Sequence, residues 1–188
     1  MNQAPCPRCA LPFQEDLCPA CRLDPPPFVE TLAPFIYSPP LNKALQNLKY
    51  RNKIHLVREI SKLWKRALPF QLSPDLWVCP VPLHRRRLLK RGFNQSQLLA
   101  TQIFGAQKVK ELLIRERHTK PQVTLTYRER LKNVRGAFRA QNASFIRGKK
   151  ILLFDDIFTT GATLKECARV LLKAGAEEVR VAVIARAE

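Results

Sequence analysis

The sequence predicts an α/β fold with a parallel sheet flanked by helices, preceded by a small four-cysteine module. Apolar runs at residues 77–82, 151–154 and 179–185 are typical of short strands buried on both faces. Helical spacing of apolar residues separates them, over 42–68, 94–103 and 162–174. Paired cysteines fall within the first 21 residues. We therefore expect a four-cysteine module over residues 1–27 and an α/β domain over 28–188.

Length and charge restrict the class of protein. No apolar run in the 188 residues approaches the length of a membrane span, and prolines and polar residues occupy the N-terminus. We therefore expect a cytoplasmic protein without membrane insertion. The formal charge is +18, and residues 84–150 hold 18 Lys and Arg against three acids. This balance predicts a polyanionic partner, either pyrophosphate or nucleic acid or both.

Four cysteines form the pattern C-x2-C-x8-C-x2-C, with members Cys6, Cys9, Cys18 and Cys21. This spacing favours a closed, structural Zn²⁺ site of the ribbon type. A redox pair needs only one C-x2-C, and a disulfide framework suits a secreted chain. Cys79 and Cys167 lie in apolar runs and are expected to be buried thiols without chemistry.

The elements between these features follow from local pattern. Residues 28–37 are expected to supply a first strand, and 42–68 two helices that break near Arg51. Lys49 and the other cations of that segment are expected to lie on its solvated outer face. The strand at 77–82 leads into a basic loop over 82–95, and a helix begins at Asn94 or Ser96. Another strand is expected at 111–115, followed by a cationic segment over 117–138.

The most informative segment is residues 151–164. Two carboxylates, Asp155 and Asp156, are expected to end a buried strand. A short turn follows, and a helix is expected to begin at Ala162. The intervening turn provides an anion nest through its hydroxyls, a glycine and the helix N-terminus, at Thr159, Thr160, Gly161, Ala162 and Thr163. Neither a Walker motif nor a GxGxxG fingerprint is present. The alternative is an ordinary strand–turn–helix with a capping threonine.

Adjacent carboxylates repel each other, so a cation or a hydroxyl donor is expected to share their site, and Mg²⁺ is a natural candidate.

This segment resembles the phosphoribosyl-pyrophosphate (PRPP) loop of type I phosphoribosyltransferases. The resemblance implies that Asp155 and Asp156 are the catalytic carboxylates, which hold the ribose hydroxyls, while the Thr-Thr-Gly turn binds the 5′-phosphate. It also implies a type I phosphoribosyltransferase-like sheet, with Mg²⁺ bound together with PRPP.

The basic loop PVPLHRRRLLKRGFNQS extends the resemblance. Together with the four cysteines and FDDIFTTGATL, it is similar to the ComF (ComFC- and GntX-like) family of competence proteins. The resemblance places Arg91, Gly92, Asn94 and Gln95 on the pyrophosphate side of the site. The run Arg85-Arg86-Arg87 is compatible with either a ligand contact or a solvated face. His84 fits an acid–base role or a cap at the strand exit.

A hood closes over PRPP in type I phosphoribosyltransferases, and residues 117–138 hold the corresponding place in the chain. The candidate lid contacts are Thr119, Gln122, Arg130 and Asn133. The alternative is a surface hairpin or short helix with solvated charges.

Two functions are compatible with these residues. The first is a phosphoribosyltransferase that acts in DNA uptake and natural transformation, with PRPP and imported single-stranded DNA as partners. The second is a non-catalytic adaptor for single-stranded nucleic acid, with Phe93, Tyr127 and Phe138 stacking bases among cations. Acting in DNA uptake also implies a helicase or a recombination mediator as protein partner. No run in the sequence identifies the acceptor.

Overall fold

The computed structural model describes residues 5–13, 17–68, 73, 75–119 and 127–187, and for residues 127, 128, 130 and 131 it describes the backbone. In chain order the elements are α1 (Pro19–Leu23), β1 (Thr31–Leu32), β2 (Phe35–Ile36), α2 (Leu41–Arg51), α3 (Leu56–Ala67), β3 (Leu76–Pro80), α4 (Arg85–Arg91), α5 (Gln95–Phe104), β4 (Leu113–Arg115), α6 (Tyr127–Val134), β5 (Phe138–Ala140), α7 (Ala143–Ile146), β6 (Lys150–Phe158), α8 (Ala162–Lys173) and β7 (Glu178–Arg186).

A parallel sheet forms the centre of the fold, in the order β1–β7–β6–β3. The short strand β2 also pairs with β7, on the edge that β1 uses. The central strand β6 pairs with β3 from Lys150 to Phe154 and with β7 from Lys150 to Phe158. The carboxyl end of β6 therefore extends past the end of β3, and this offset leaves room for side chains from other elements.

Both faces of the sheet are covered, as the continuous apolar runs predict. Ile151 and Leu153 face one hydrophobic cluster, which contains α8, the β4–β5 hairpin and the four N-terminal cysteines. Leu152 and Phe154 face the second cluster, which contains α2, α3 and α5. The predicted α/β class is confirmed.

Two strands differ from the sequence expectation. β6 does not end at the carboxylates but runs through Asp155 and Asp156 to Phe158, because β7 continues to pair with it as far as Arg186. The first strand, expected over 28–37, is present as the two short strands β1 and β2. Pro34 lies between them and has no backbone N–H to give to a ladder.

The helices largely match their patterns. The break near Arg51 is confirmed, where Asn52 adopts a left-handed conformation with φ of 51°. The basic loop, however, contains the helix α4, whose N-cap is His84: its Nδ1 accepts from the backbone N–H of Arg86 at 3.2 Å. Among the described residues, no helix is both long enough and apolar enough to cross a bilayer.

Candidate anion-binding site

The acidic pair lies at the carboxyl end of the central strand. Asp156 is 3% exposed, whereas Asp155 is partly buried and accepts a hydrogen bond from Ser96 Oγ at 2.7 Å. Ser96 belongs to the first turn of α5, which starts behind its N-cap Asn94. The start of α5 is thus attached directly to the acidic pair, and the hydroxyl partner expected from the repulsion of the carboxylates is present.

The cationic partner of the pair is Lys49, from the last turn of α2. Its ammonium forms an ion pair with Asp156 Oδ2, and its side chain is 18% exposed. That oxygen accepts no hydrogen bond of standard geometry from the described residues, so the ion pair is its main compensation there. Burial acts to lower the pKa of Lys49, but Asp156, Asp155 and Tyr50 together outweigh burial and raise it. The expectation that Lys49 lies on a solvated face was wrong, because its side chain reaches Asp156 at the carboxyl end of β6.

The environment of Asp155 favours its protonated form. Burial raises the pKa of Asp155 to about 7, and the adjacent Asp156 carboxylate contributes to the rise. Asp155 therefore keeps its proton to a higher pH than an ordinary aspartate does. Such a group can both accept a hydrogen bond from a hydroxyl and donate one to it.

The turn after β6, which the sequence predicts to be an anion nest, is tight. Gly161 has φ of 74° and is the N-cap of α8, a conformation that favours glycine. A Cβ at this position would lie 2.7 Å from the ring of Phe158. Thr160 Oγ1 accepts from the backbone N–H of Ala162 at 3.4 Å, while Thr159 is exposed at the tip of the turn. The N-terminus of α8 begins directly at this turn.

The basic corner lies beside the acidic pair. Arg91 ends α4 and donates to Gln95 Oε1, and its guanidinium is 5.8 Å from the ring centroid of Tyr50. Burial lowers the pKa of Arg91, although the attraction of Asp156 opposes that effect. Gly92 has φ of 84°, and Asn94 Nδ2 donates to the carbonyl of Val81 at 3.0 Å. The predicted pyrophosphate-side residues and the acidic pair are thus close neighbours.

The candidate lid residues have different environments. Thr119 is 3% exposed and held by Arg115, which donates to its hydroxyl, and by Arg87, which donates to its carbonyl at 3.0 Å. The carbonyl of Asn133 accepts from Arg117 at 3.1 Å, in the helix α6. Gln122 and the side chain of Arg130 lie outside the described residues. The part of 117–138 that is described contains the short helix of the alternative interpretation, and the lid role stays a prediction.

The four cysteines form a compact, buried cluster. Their sulfur atoms all lie within 4.8 Å of one another. Tetrahedral coordination with Zn–S distances of about 2.3 Å places sulfurs close to this range. Burial opposes ionisation of Cys6, but backbone donors, led by the N–H of Cys18, lower its pKa to about 7. Four converging sulfurs without a nearby open position fit a structural zinc ion held by Cys6, Cys9, Cys18 and Cys21. Cys79 and Cys167 are fully buried, as expected.

Arg186, at the end of β7, connects the cysteine cluster to the anion nest. Its Nε donates to the carbonyl of Cys9 at 2.9 Å. Its Nη1 donates to the carbonyls of Phe158 at 3.0 Å and Thr159 at 2.7 Å, and its guanidinium lies 4.7 Å from the Phe158 ring centroid. Sequence reasoning missed this residue because a terminal arginine carries no local signal. Only the register of β7 places it under the turn.

Comparison with known proteins shows which family the chain belongs to. A phosphoribosyl transferase domain matches residues 88–188, which include α5, β6 and the anion nest. The chain is similar to the DNA utilization protein YhgH of Escherichia coli, with 34% identity over 193 aligned positions that cover 96% of this chain and 83% of that protein. It is also similar to Competence protein F of Haemophilus influenzae, with 32% identity over 80% of this chain and 70% of that protein. The chain belongs to the ComF family.

A third relative is less similar in sequence. Competence protein ComFC of Bacillus subtilis is 29% identical over 75% of this chain and 57% of its own length. The expected ComF membership, and the phosphoribosyltransferase-like sheet behind a four-cysteine N-terminus, are both confirmed for this ComF-family chain.

Proposed function

We propose that this chain binds PRPP and transfers its phosphoribosyl group to a nitrogenous acceptor, in the cytoplasm and in the service of DNA uptake. The observation that carries the proposal is the acidic pair of partly buried Asp155 and buried Asp156, which Ser96 and Lys49 compensate and which a tight glycine turn follows. A turn with only a structural role does not require buried carboxylates. Removing a carboxylate from water costs on the order of several kcal/mol, so its burial indicates a functional role. The names of the relatives support the setting of DNA utilization and competence.

The roles follow from the chemistry of the ligand. The acidic pair would receive the two ribose hydroxyls, and the turn at 159–163 would receive the 5′-phosphate. Arg91, with the open backbone of Gly92 and the amides of Asn94 and Gln95, would stabilise the departing pyrophosphate. In the reaction the bond from C1 to the pyrophosphate oxygen breaks, a bond from C1 to the acceptor nitrogen forms, and the acceptor loses a proton. Little covalent chemistry is required of the protein, because orientation and charge stabilisation suffice.

Mg²⁺ belongs to this proposal as a companion of PRPP. The carboxylate oxygens of Asp155 and Asp156 are ligands of the kind Mg²⁺ prefers. Asp156 Oδ2 is already paired with Lys49, so the metal would bind mainly through the pyrophosphate of the ligand.

Calorimetric titration of PRPP with Mg²⁺ tests the proposal directly. Native protein is expected to bind, and Asp156→Asn is expected to weaken binding at least about tenfold, which is the loss of one good charge-assisted contact. Asp75→Asn is the matched control, because Asp75 is 58% exposed and lies at the amino edge of the sheet. Absence of binding to native protein, or equal affinity in both variants, contradicts the proposal. Pyrophosphate release with added acceptors then separates binding from turnover.

A second candidate function is favoured by the formal charge of +18. A non-catalytic adaptor would bind single-stranded nucleic acid through its cations, with an affinity that falls steeply with salt. The aromatic residues first expected to stack bases do not support it, because Phe138 is 6% exposed and Phe93 packs against the core. The side chain of Tyr127 lies outside the described residues. A DNA-uptake helicase or recombination mediator as protein partner stays a prediction.

A further inference from the structure

A second concave surface lies at the amino ends of β3 and β6. The acidic pair lies at the opposite, carboxyl end of β6. Trp77, Leu112 and Phe145 form its apolar walls, and Lys110, Gln141 and Asn142 contribute polar atoms. We call it the Trp77 groove. Its volume is about 370 Å³, within the range of pockets that hold small organic groups. Trp77 pairs with Ile151 at the start of β6, so the sheet fixes the floor of the groove.

The aromatic walls are accessible. Phe145 is 59% exposed although it belongs to the short helix α7, and Trp77 is only partly buried. A large apolar side chain on a short helix is normally turned inward, as its neighbour Ile146 is. The two rings therefore offer apolar surface to a ligand.

Two cations lie on the aromatic surface. The ammonium of Lys149 is 5.3 Å from the ring centroid of Trp77, and that of Lys110 is 5.9 Å away. In the described part of the chain neither lysine has a carboxylate within 4 Å. The groove thus combines stackable rings with positive charge that no carboxylate side chain neutralises there.

We propose that the Trp77 groove binds a base of single-stranded nucleic acid. The base would stack against Phe145 and Trp77, and the ammonium groups of Lys110 and Lys149, which lie over the Trp77 ring, would turn to the flanking phosphates. Base-on-aromatic stacking combined with cations along the strand is how sequence-tolerant single-strand binding is achieved. The amides of Gln141 and Asn142 border the groove and can bond to base edges.

Other occupants fit less well. A purely apolar peptide would cover the two ammonium groups without supplying counter-charge, and desolvated charge without a partner is costly. Duplex DNA keeps its bases paired inside the helix, so they cannot reach the rings. A single strand supplies both the π-faces and the negative charge. Glu111 also lines the groove, and its carboxylate accepts from Gln97 Nε2 at 2.6 Å.

This inference rests on the proposed handling of single-stranded DNA and is independent of PRPP binding, because the two sites lie at opposite edges of the sheet. The chain has two tryptophans, and Trp64 is 1% exposed with its Nε1 donating to the carbonyl of Val183 at 2.9 Å. Trp64 is therefore an internal reference for ligand effects on Trp77.

The test uses ¹⁹F NMR of the full chain labelled with 5-fluorotryptophan. Trp77→Phe assigns the two resonances, and a short oligothymidylate is then titrated at low salt. The Trp77 resonance is expected to shift while that of Trp64 does not. Phe145→Leu, which keeps an apolar side chain but removes the ring, is expected to weaken binding about fivefold or more. Lys110→Glu with Lys149→Glu is expected to weaken it further.

A charge-matched control separates the groove from the general positive field. Lys62→Glu with Lys65→Glu makes the same change in net charge on exposed positions of α3, which packs on the opposite face of the sheet. Affinity in this control is expected to fall far less than in the groove variant. Circular dichroism of each variant verifies folding.

Each outcome decides the matter. Oligothymidylate binding that leaves the Trp77 resonance unmoved, or equal losses in groove and control variants, overturns the groove but leaves single-strand handling intact. If native protein does not bind oligothymidylate at low salt, both the groove and the handling of single-stranded DNA are overturned. The calorimetric test of PRPP binding does not depend on this outcome. A Trp77 shift that depends on protein concentration without nucleic acid assigns the groove to a second copy and overturns the proposal. An oligouridylate titration decides whether DNA or RNA binds better, and either preference supports the groove.

Discussion

Replacing Arg186 by methionine is expected to destabilise the fold and loosen the anion nest. The substitution removes the buried donor that serves the carbonyls of Cys9, Phe158 and Thr159. A hydrogen bond from a charged donor contributes about 1.5–3 kcal/mol, and such contributions are not additive within one network. Because methionine retains part of the apolar packing on Phe158, we expect a loss of about 3–5 kcal/mol in the free energy of unfolding.

Urea unfolding followed by circular dichroism measures this loss, with Arg180→Met as the matched control. Arg180 lies on the same strand β7 but is 36% exposed and pairs with Glu30 and Glu178. A surface ion pair contributes about 0–1 kcal/mol, so the control is expected to remain near native stability.

Two further readouts identify the role of Arg186 beyond stability. In conditions where Arg186→Met remains folded, its affinity for inorganic phosphate is expected to fall, because the Phe158 and Thr159 carbonyls are no longer fixed. Zinc release to a chelator is expected to accelerate, because the Cys9 carbonyl loses its anchor. Equal stability of the two methionine variants, with unchanged phosphate affinity, would refute the reasoning.

Three other predictions follow from the same structure. Gly161→Ala is expected to cost more stability than its control Gly148→Ala. Both positions have positive φ, but a Cβ at 161 would lie 2.7 Å from the Phe158 ring, whereas a Cβ at 148 would meet open space. Thermal unfolding of the two variants isolates the clash, and equal losses would show that the ring moves aside. The pKa of Asp155 is raised from 3.8 to about 7 by burial and by its acidic neighbour, so the folded state keeps a proton that the unfolded state has released. The stability that this group contributes is therefore lost as the pH rises from about 4 to about 7. In Asp155→Asn, the urea-unfolding midpoint is expected to change less with pH over that window than in native protein. An equal pH dependence in the two proteins would argue against the raised pKa. Native protein is expected to carry one zinc ion per chain by metal analysis, and Cys9→Ser to lose it; full zinc content in that variant would contradict four-cysteine coordination.

Local pattern predicted those parts of the fold in which sequence neighbours carry the information. The buried strand before Asp155, the helix that starts at Ala162 and the last strand have correct positions, because apolar periodicity and a glycine turn are read within a few residues. The four cysteines likewise converge as their spacing predicts. The helix α4 was missed, since its basic sequence has no apolar periodicity and its start depends on the His84 cap.

The sequence predicted only some of the residues that form the candidate site. Asp155, Asp156 and the predicted anion nest at 159–163 are contiguous in the chain, so residue type and order alone predicted them as one site. Lys49 and Ser96 reach the acidic pair from α2 and α5, and Arg186 reaches the nest from the end of β7. Nothing in their local sequence distinguishes them from solvated residues.

By itself, the sequence determined the α/β class, the cysteine module and a strongly positive chain with an acidic pair before an anion nest. The tertiary structure alone decided which groups neutralise that pair, how the cysteine cluster is joined to the turn after β6, and which lysines lie over the ring of Trp77. The physical reason is that these interactions depend on strand register and helix packing between distant segments. Desolvation makes them important only once the chain has folded.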